Sequence, residues 1–431
     1  MPGTRFIDFS LAAALFAIAL QLVPIPSALR ASISPAAVAF DRAARVGAGI
    51  APPRPLALSV EPDRTAYALF LALPVLLVFW SAREQIGVRG LRQTVRGLAF
   101  IGLIVAPIGI AQHATEPALL YWQWQPEAAN ALPYTPFVNR NDFAAWLAMA
   151  IPLTLGYLAA RIDAHRIEGE PVDVDAALDE TGLLLVMSLV VMTGAVLGSL
   201  SRSAFAGLTA GLLVLVAVAH ARASRRASVW LAAALVALFA VAAVFVDAAT
   251  LAARMSSAMS EGLTGRIAIW RQTWRMVRDF WPLGSGVGTF QNVMVLYQTS
   301  SRLFYISHAD NEYLQILAEG GALLAVPVVL ALTGAAIAVI RAVRADRTPI
   351  VWLRAGAAAG IVAVGVQNLF EMTLRVPANA VMLALLAAVA THHSRQSPVM
   401  SPSSPWRKCR CREMGSDPIF SSVETPRENG V

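Results

Sequence analysis

Between Ser307 and Gly321 the chain reads SHADNEYLQILAEGG and passes directly into the apolar stretch from Ala322 to Ile340. A neutral imidazole at His308 can take a proton from a hydroxyl nucleophile, and Asp310 places a carboxylate nearby. Set on a helix, His308, Asn311, Gln315 and Glu319 fall at i, i+3, i+7 and i+11, within a sector of roughly 80°. Ionisable groups are costly beside a bilayer core, so such a stripe needs a purpose. Asn311 and Gln315 can contact a sugar or an acceptor, while Glu319, about three turns deeper, would be paired or protonated and would fix packing. Structural readings stand beside these. Ser307 and Asp310 match a capping box of the S-x-x-D kind, which makes His308 the first helical residue, and an interfacial histidine can simply bond lipid headgroups.

Arginines supply the other half of a possible chemistry. Arg202 lies in SLSRSAF, a tight turn between two apolar stretches. Its guanidinium is a planar fork that matches phosphate bidentately, although an arginine at a membrane boundary can also snorkel to headgroups. In GRIAIWRQTWRMVRDFWPLGSGVGTF, Arg266, Trp270 and Trp274 recur at helical spacing, as do Arg271, Arg275 and Arg278. The pattern predicts an amphipathic helix on the outer membrane face, whose arginines grip phosphate or hold the helix against anionic lipid. The GSGVGTF that follows lacks the lysine and the preceding strand of a nucleotide loop, and reads as a turn. In FVNRNDFA, Asn139, Arg140 and Asn141 offer donors for sugar hydroxyls or phosphate oxygens, while Asn141 or Asp142 can cap the helix starting there. Glu371 and Arg375 have the i, i+4 spacing of an internal salt bridge.

The elements that carry these residues belong to a membrane. With 57% apolar and 14% charged residues, the chain must turn most of its apolar mass to lipid. About ten spans of bilayer length are expected, near 7–25, 65–82, 96–114, 142–160, 182–200, 204–220, 228–247, 311–341, 352–370 and 377–392. The weakly apolar stretch from Ser27 to Ala51 can form a re-entrant or interfacial segment. Short loops holding Arg83 to Arg96, Arg222 to Arg226 and Arg341 to Arg354 alternate correctly if the N-terminus is cytoplasmic. A long loop of about 248–310 then lies outside, carrying amphipathic helices and Arg266. The membrane domain spans 1–394, and the Ser- and Pro-rich tail, 395–431, is expected to be disordered and cytoplasmic. Cys409 and Cys411 fall in that tail, too sparse a pair for a zinc site. The first span is expected to be retained rather than cleaved.

FVNRNDFAAWLAMAIPL, SRSA, GRIAIWRQTWRMVRDFWPLGSGVGTF and HADNEYLQILAEGG, in this order, together resemble the O-antigen ligase and polymerase family over Phe137 to Ala390. The resemblance implies an all-α, GT-C-like glycosyltransferase of the bacterial inner membrane, active on the periplasmic face. Such enzymes transfer a glycan from polyprenyl (undecaprenyl) diphosphate to a hydroxyl acceptor, such as lipid A-core or another glycan, with inversion and without cofactor or metal. By motif, Arg202 and Arg266 bind the diphosphate and His308 is the base. Many relatives read HAHND where this chain reads HADNE, which makes Asp310 the reserve base. Ligase and polymerase share this donor grip. A flippase or exporter of lipid-linked glycan is the alternative of another class, against which stand the absence of duplicated halves and the clustering of polar groups on one side.

Overall fold

A computed structural model describes residues 2–46, 56–86, 88–127, 131–164, 179–222, 236, 265–299 and 305–392. The described chain is helical nearly throughout. Its helices are α1 (Pro2–Leu20), α2 (Ser27–Ile33), α3 (Pro35–Val46), α4 (Pro62–Gln85), α5 (Val88–Thr115), α6 (Arg140–Ala164), α7 (Glu180–Gly198) and α8 (Arg202–Arg222). Then come α9 (265–279), α10 (Phe290–Met294), α11 (Glu312–Ala345), α12 (Ile350–Gln367) and α13 (Pro377–Thr391). Two short strands, β1 (Pro24–Ile25) and β2 (Leu56–Ala57), pair antiparallel.

Seven helices, α4 to α8 with α11 and α12, are long and apolar enough to cross a membrane. Each coincides with an expected span, but the count among the described residues is seven rather than ten. Helix α13 has only 15 residues, short of the roughly 20 that a bilayer requires. Helix α1, 19 residues long, overlaps the expected span near 7–25 but is not among the seven. The expected span at 228–247 and the tail with Cys409 and Cys411 lie outside the described residues. The stretch after the first helix forms α2 and α3, joined by an ion pair between the buried Arg30 and Asp41.

The chain divides into two compact units, one of Met1–Val78, Ala249–Ala338 and Gly365–Val381, the other of Phe79–Ala248, Val339–Val364 and Met382–Val431. In the second unit α6 is the buried helix, with no side chain exposed from Phe143 to Leu153. Small residues let it approach its neighbours. A Cβ on Gly156 would stand 2.4 Å from the Trp352 carbonyl oxygen, and one on Gly356 would stand 2.5 Å from that of Pro152. Close backbone approach of this kind is how membrane helices gain packing where hydrophobic driving force is weak. Polar links also join helix ends of this unit: Arg222 donates to the Asp346 carbonyl at 2.5 Å, and Trp352 donates to Asp163 at 3.1 Å. Tyr134 likewise reaches the carbonyl of Gly198 at 3.1 Å.

The first unit has its core where α9 and α10 meet α3 and the start of α11, around Ala37, Met276, Phe280, Phe290, Met294 and Ala318. The loop after α9 is built against the backbone of α11. Ser285 N–H donates to Ala318 O at 3.1 Å and Gly286 N–H to Glu319 O at 2.9 Å. Gly284, at φ 76°, has no room for a Cβ, which would lie 2.2 Å from Glu319 O; Gly321, at φ 56°, is equally close to Pro282 O and interrupts α11. These glycines therefore serve a tight turn and a backbone crossing, as their sequence suggests, because only glycine has both the left-handed freedom and the missing side chain. Gln21, just past α1, staples the same loop by donating to Leu283 O and Glu319 O and accepting from Val287 N–H.

Candidate active site

Ala309 is the fixed point of the polar segment. It is fully buried, its N–H donates to Gln315 Oε1 at 2.9 Å, and its carbonyl accepts from the Trp270 indole at 3.0 Å. His308 and Asp310 flank this anchored residue. Asp310 sits at φ 48°, a left-handed conformation that aspartate tolerates better than most residues. Ser307 shares a hydrogen bond of 2.8 Å with His308 Nδ1. When Nδ1 carries the proton and donates to Ser307, Nε2 is left as the acceptor, which is the tautomer a base requires.

Helix α11 begins at Glu312, later than the spacing suggests. Its cap is Asn311, whose Oδ1 accepts from Leu314 N–H at 2.9 Å. The expected Ser307–Asp310 capping box does not form, and His308 precedes the helix instead of opening it. Gln315 is 1% exposed, and its amide is committed to Ala309 and, at 3.1 Å, to Glu319. Both amides of the expected stripe are thus engaged by the scaffold.

Arg266, from the first turn of α9, donates to Glu371 at 2.8 Å and lies 4.0 Å from Asp310. Arg375 donates to Glu319 at 2.6 Å and lies 3.9 Å from Glu312. The internal Glu371–Arg375 salt bridge expected from their spacing is replaced by these two, because residues 368–376 form turns and a short 3-10 segment. That segment is fixed by Asn368, whose Oδ1 accepts from Thr373 N–H at 2.9 Å, and by Asn379, which donates to Thr373 O at 3.1 Å. Glu371, Arg375 and Ser307 are the partners that sequence reasoning did not assign. Glu319 holds the packing role expected of it, accepting from Phe290 N–H and Gln315 as well as Arg375.

The electrostatics favour opposite protonation shifts on the two candidate bases. Crowding by packed neighbours, and then the positive charge of Arg375, lower the His308 pKa below the usual histidine value; Asp310 and Glu319 pull it up without prevailing. Partial desolvation by the surrounding protein raises the Asp310 pKa above the usual aspartate value, although 42% of its side chain is exposed, against the opposing pull of Arg266 and His308. The His308 imidazole thus favours its neutral form, and the nearby Asp310 lies 4.0 Å from Arg266, whose side chain is 25% exposed. The arrangement can accept a proton and counter a nearby anion.

The other expected residues belong to the second unit. Arg202 opens α8, exposed, with no side-chain partner among the described residues, after a turn in which Leu200 is at φ 55°. The cap of α6 is Asn139, whose Oδ1 accepts from Asn141 N–H at 2.9 Å, where Asn141 or Asp142 was expected. Arg140 and Asn141 occupy the first turn of α6, partly exposed.

Several apolar helices of spanning length and a polar centre of histidine, carboxylates and arginines define a multi-pass membrane protein with the makings of a group-transfer site. Residues 187–329, about a third of the chain, match the model of the O-antigen ligase family. That match supports a function of the membrane glycan ligase and polymerase type, with a lipid-linked glycan and a glycan acceptor as substrates in general. No curated protein matches the chain. The matched segment contains Arg202, Arg266, His308 and Asp310, whereas Asn139, Glu371 and Arg375 fall outside it.

Proposed function

We propose that the protein transfers a glycan from a polyprenyl diphosphate, such as undecaprenyl diphosphate, to a hydroxyl acceptor on the periplasmic face of the inner membrane, in the manner of an O-antigen ligase. The observation that carries this reading is Arg266 held between Glu371 and Asp310, on the same segment as a histidine biased to its neutral form. The acceptor oxygen attacks the anomeric carbon from the face opposite the leaving group. The acceptor proton passes to His308 Nε2 as the bond from carbon to diphosphate oxygen breaks, and the configuration inverts. The diphosphate leaves with its charge countered by the Arg266 fork rather than by a divalent cation. Asp310 is the reserve base. Arg202 is proposed separately as a diphosphate-binding residue of its own unit, and Asn139, Arg140 and Asn141 as glycan contacts there.

The test uses purified protein with a polyprenyl-diphosphate glycan and separate candidate acceptors, comparing wild type with His308→Ala and Asp310→Ala. Product lost only in His308→Ala supports the assignment, and the productive acceptor distinguishes ligase from polymerase. Absence of product with every acceptor, together with glycan changing leaflet in liposomes, would overturn transfer in favour of export.

A further inference from the structure

We propose that the outward face of α9 is a binding site for an anionic phospholipid. Arg271, Arg275 and Arg278 recur at i, i+4 and i+7, the spacing of one helical face. The opposite face, with Thr273, Met276 and Val277, is buried in the core of its unit. The three guanidinium groups line a single open groove of about 540 Å³ together with Ile267, Trp270, Trp274 and Leu314. Among the described residues none of the three makes an ion pair, so a concentrated positive charge is left for a ligand.

The lining decides the class of that ligand. It contains no carboxylate, hydroxyl or amide side chain, and the Trp270 indole N–H is already given to Ala309 O. Sugar hydroxyls need acceptors as well as donors, which this groove does not offer. A phosphate with an attached acyl chain needs what is present: cationic forks for the headgroup, and the apolar surface of Trp274, which is 51% exposed, and of Ile267 for the chain. Leu314 belongs to the first turn of α11, a helix long and apolar enough to span a membrane, so the groove lies at the end of such a helix. The donor diphosphate is a poorer occupant. Arg278 stands ~18 Å along α9 from Arg266 at the helical rise, too far for both to hold one diphosphate.

The test needs no transfer activity and is therefore independent of the proposed function. Protein is reconstituted in nanodiscs with equal phosphatidylglycerol and phosphatidylcholine, released, and its retained lipids are counted by native mass spectrometry. Wild type should retain phosphatidylglycerol over phosphatidylcholine by about tenfold, given the attraction of each basic side chain near a surface. The triple variant R271Q/R275Q/R278Q should lose that preference, and R271K/R275K/R278K should keep part of it. Equal retention by wild type, or an unchanged preference in the glutamine variant, overturns the proposal. So does one-for-one displacement of phosphatidylglycerol by added polyprenyl diphosphate, which would make the groove the donor's. If the glutamine variant does not fold, photoreactive phosphatidylglycerol on wild type decides the matter. Labelling of the 267–278 peptide supports the site, and labelling elsewhere sinks it.

Discussion

Arg375 reaches across 56 residues of sequence to donate to Glu319 at 2.6 Å, which gives the carboxylate of a spanning helix a fixed counter-ion. The Glu319 side chain is 2% exposed, so removing the arginine leaves a buried charge held only by the neutral donors of Phe290 N–H and Gln315. Arg375→Ala and Glu319→Ala should each destabilise the protein by about 3 kcal/mol, and the double variant should cost clearly less than their sum. Thermal unfolding in detergent of the four proteins measures the coupling; strict additivity would mean the pair contributes nothing as a pair.

Arg266 serves two carboxylates in this structure, and a diphosphate leaving there as proposed would have to compete for its donors. Arg266→Ala should lower kcat by about a hundredfold or more with the protein still accumulating. Arg266→Lys should rescue little, because the fork is lost. Glu371→Gln should cost about tenfold in kcat/KM, less than loss of the arginine, because Asp310 still orients it. Steady-state kinetics on the purified variants decides, and a normal Arg266→Ala enzyme removes the diphosphate assignment.

The pH profile reports which group is the base. His308 has its pKa below the ordinary 6.5 and must be neutral to accept a proton, so transfer should fall away only as pH drops through a value under 6.5. Asp310 raises the His308 pKa, hence Asp310→Asn should move this acid limb to lower pH while activity persists. Arg375 lowers it, and Arg375→Gln should move the limb up. A limb that disappears in Asp310→Asn along with all activity would transfer the base role to the carboxylate.

Gly284→Ala tests the crossing of the α9–α10 loop over α11. The added methyl would meet the Glu319 carbonyl at 2.2 Å on a backbone already at φ 76°. The variant should lose about 3 kcal/mol or more, whereas Gly265→Ala, with open space around it, should be within about 0.5 kcal/mol of wild type. Equal melting temperatures for the two would contradict the packing described for the loop.

Local chemistry was legible in the sequence where it depended on short spacing. The seven spans, the helix bearing Arg266 and the turn made by the glycines follow from apolar runs, a 3.6-residue period and missing side chains. Partners distant in sequence were not legible. Glu371 and Arg375 invite pairing with each other, yet their true partners lie 105 and 56 residues away, and no periodicity reports such contacts. Caps misled by two to four residues for a related reason: Asn139 and Asn311 compete with equally good neighbours, and only the path of the incoming chain decides between them. The position of Asp310 is intermediate. Its left-handed backbone explains why a short polar or histidine side chain suits it, but the sequence does not announce the conformation.

The staple made by Gln21, with Glu371 and Arg375 arriving from downstream, means that the recognised segment 187–329 is not self-sufficient. Excised at those boundaries it would carry Arg266 and Glu319 without their nearest counter-ions and the glycine loop without its clasp. The portable unit of this protein is therefore a noncontiguous assembly of three chain segments, and any chimera that exchanges only the recognisable stretch inherits the proposed reacting groups while leaving behind the residues that hold them.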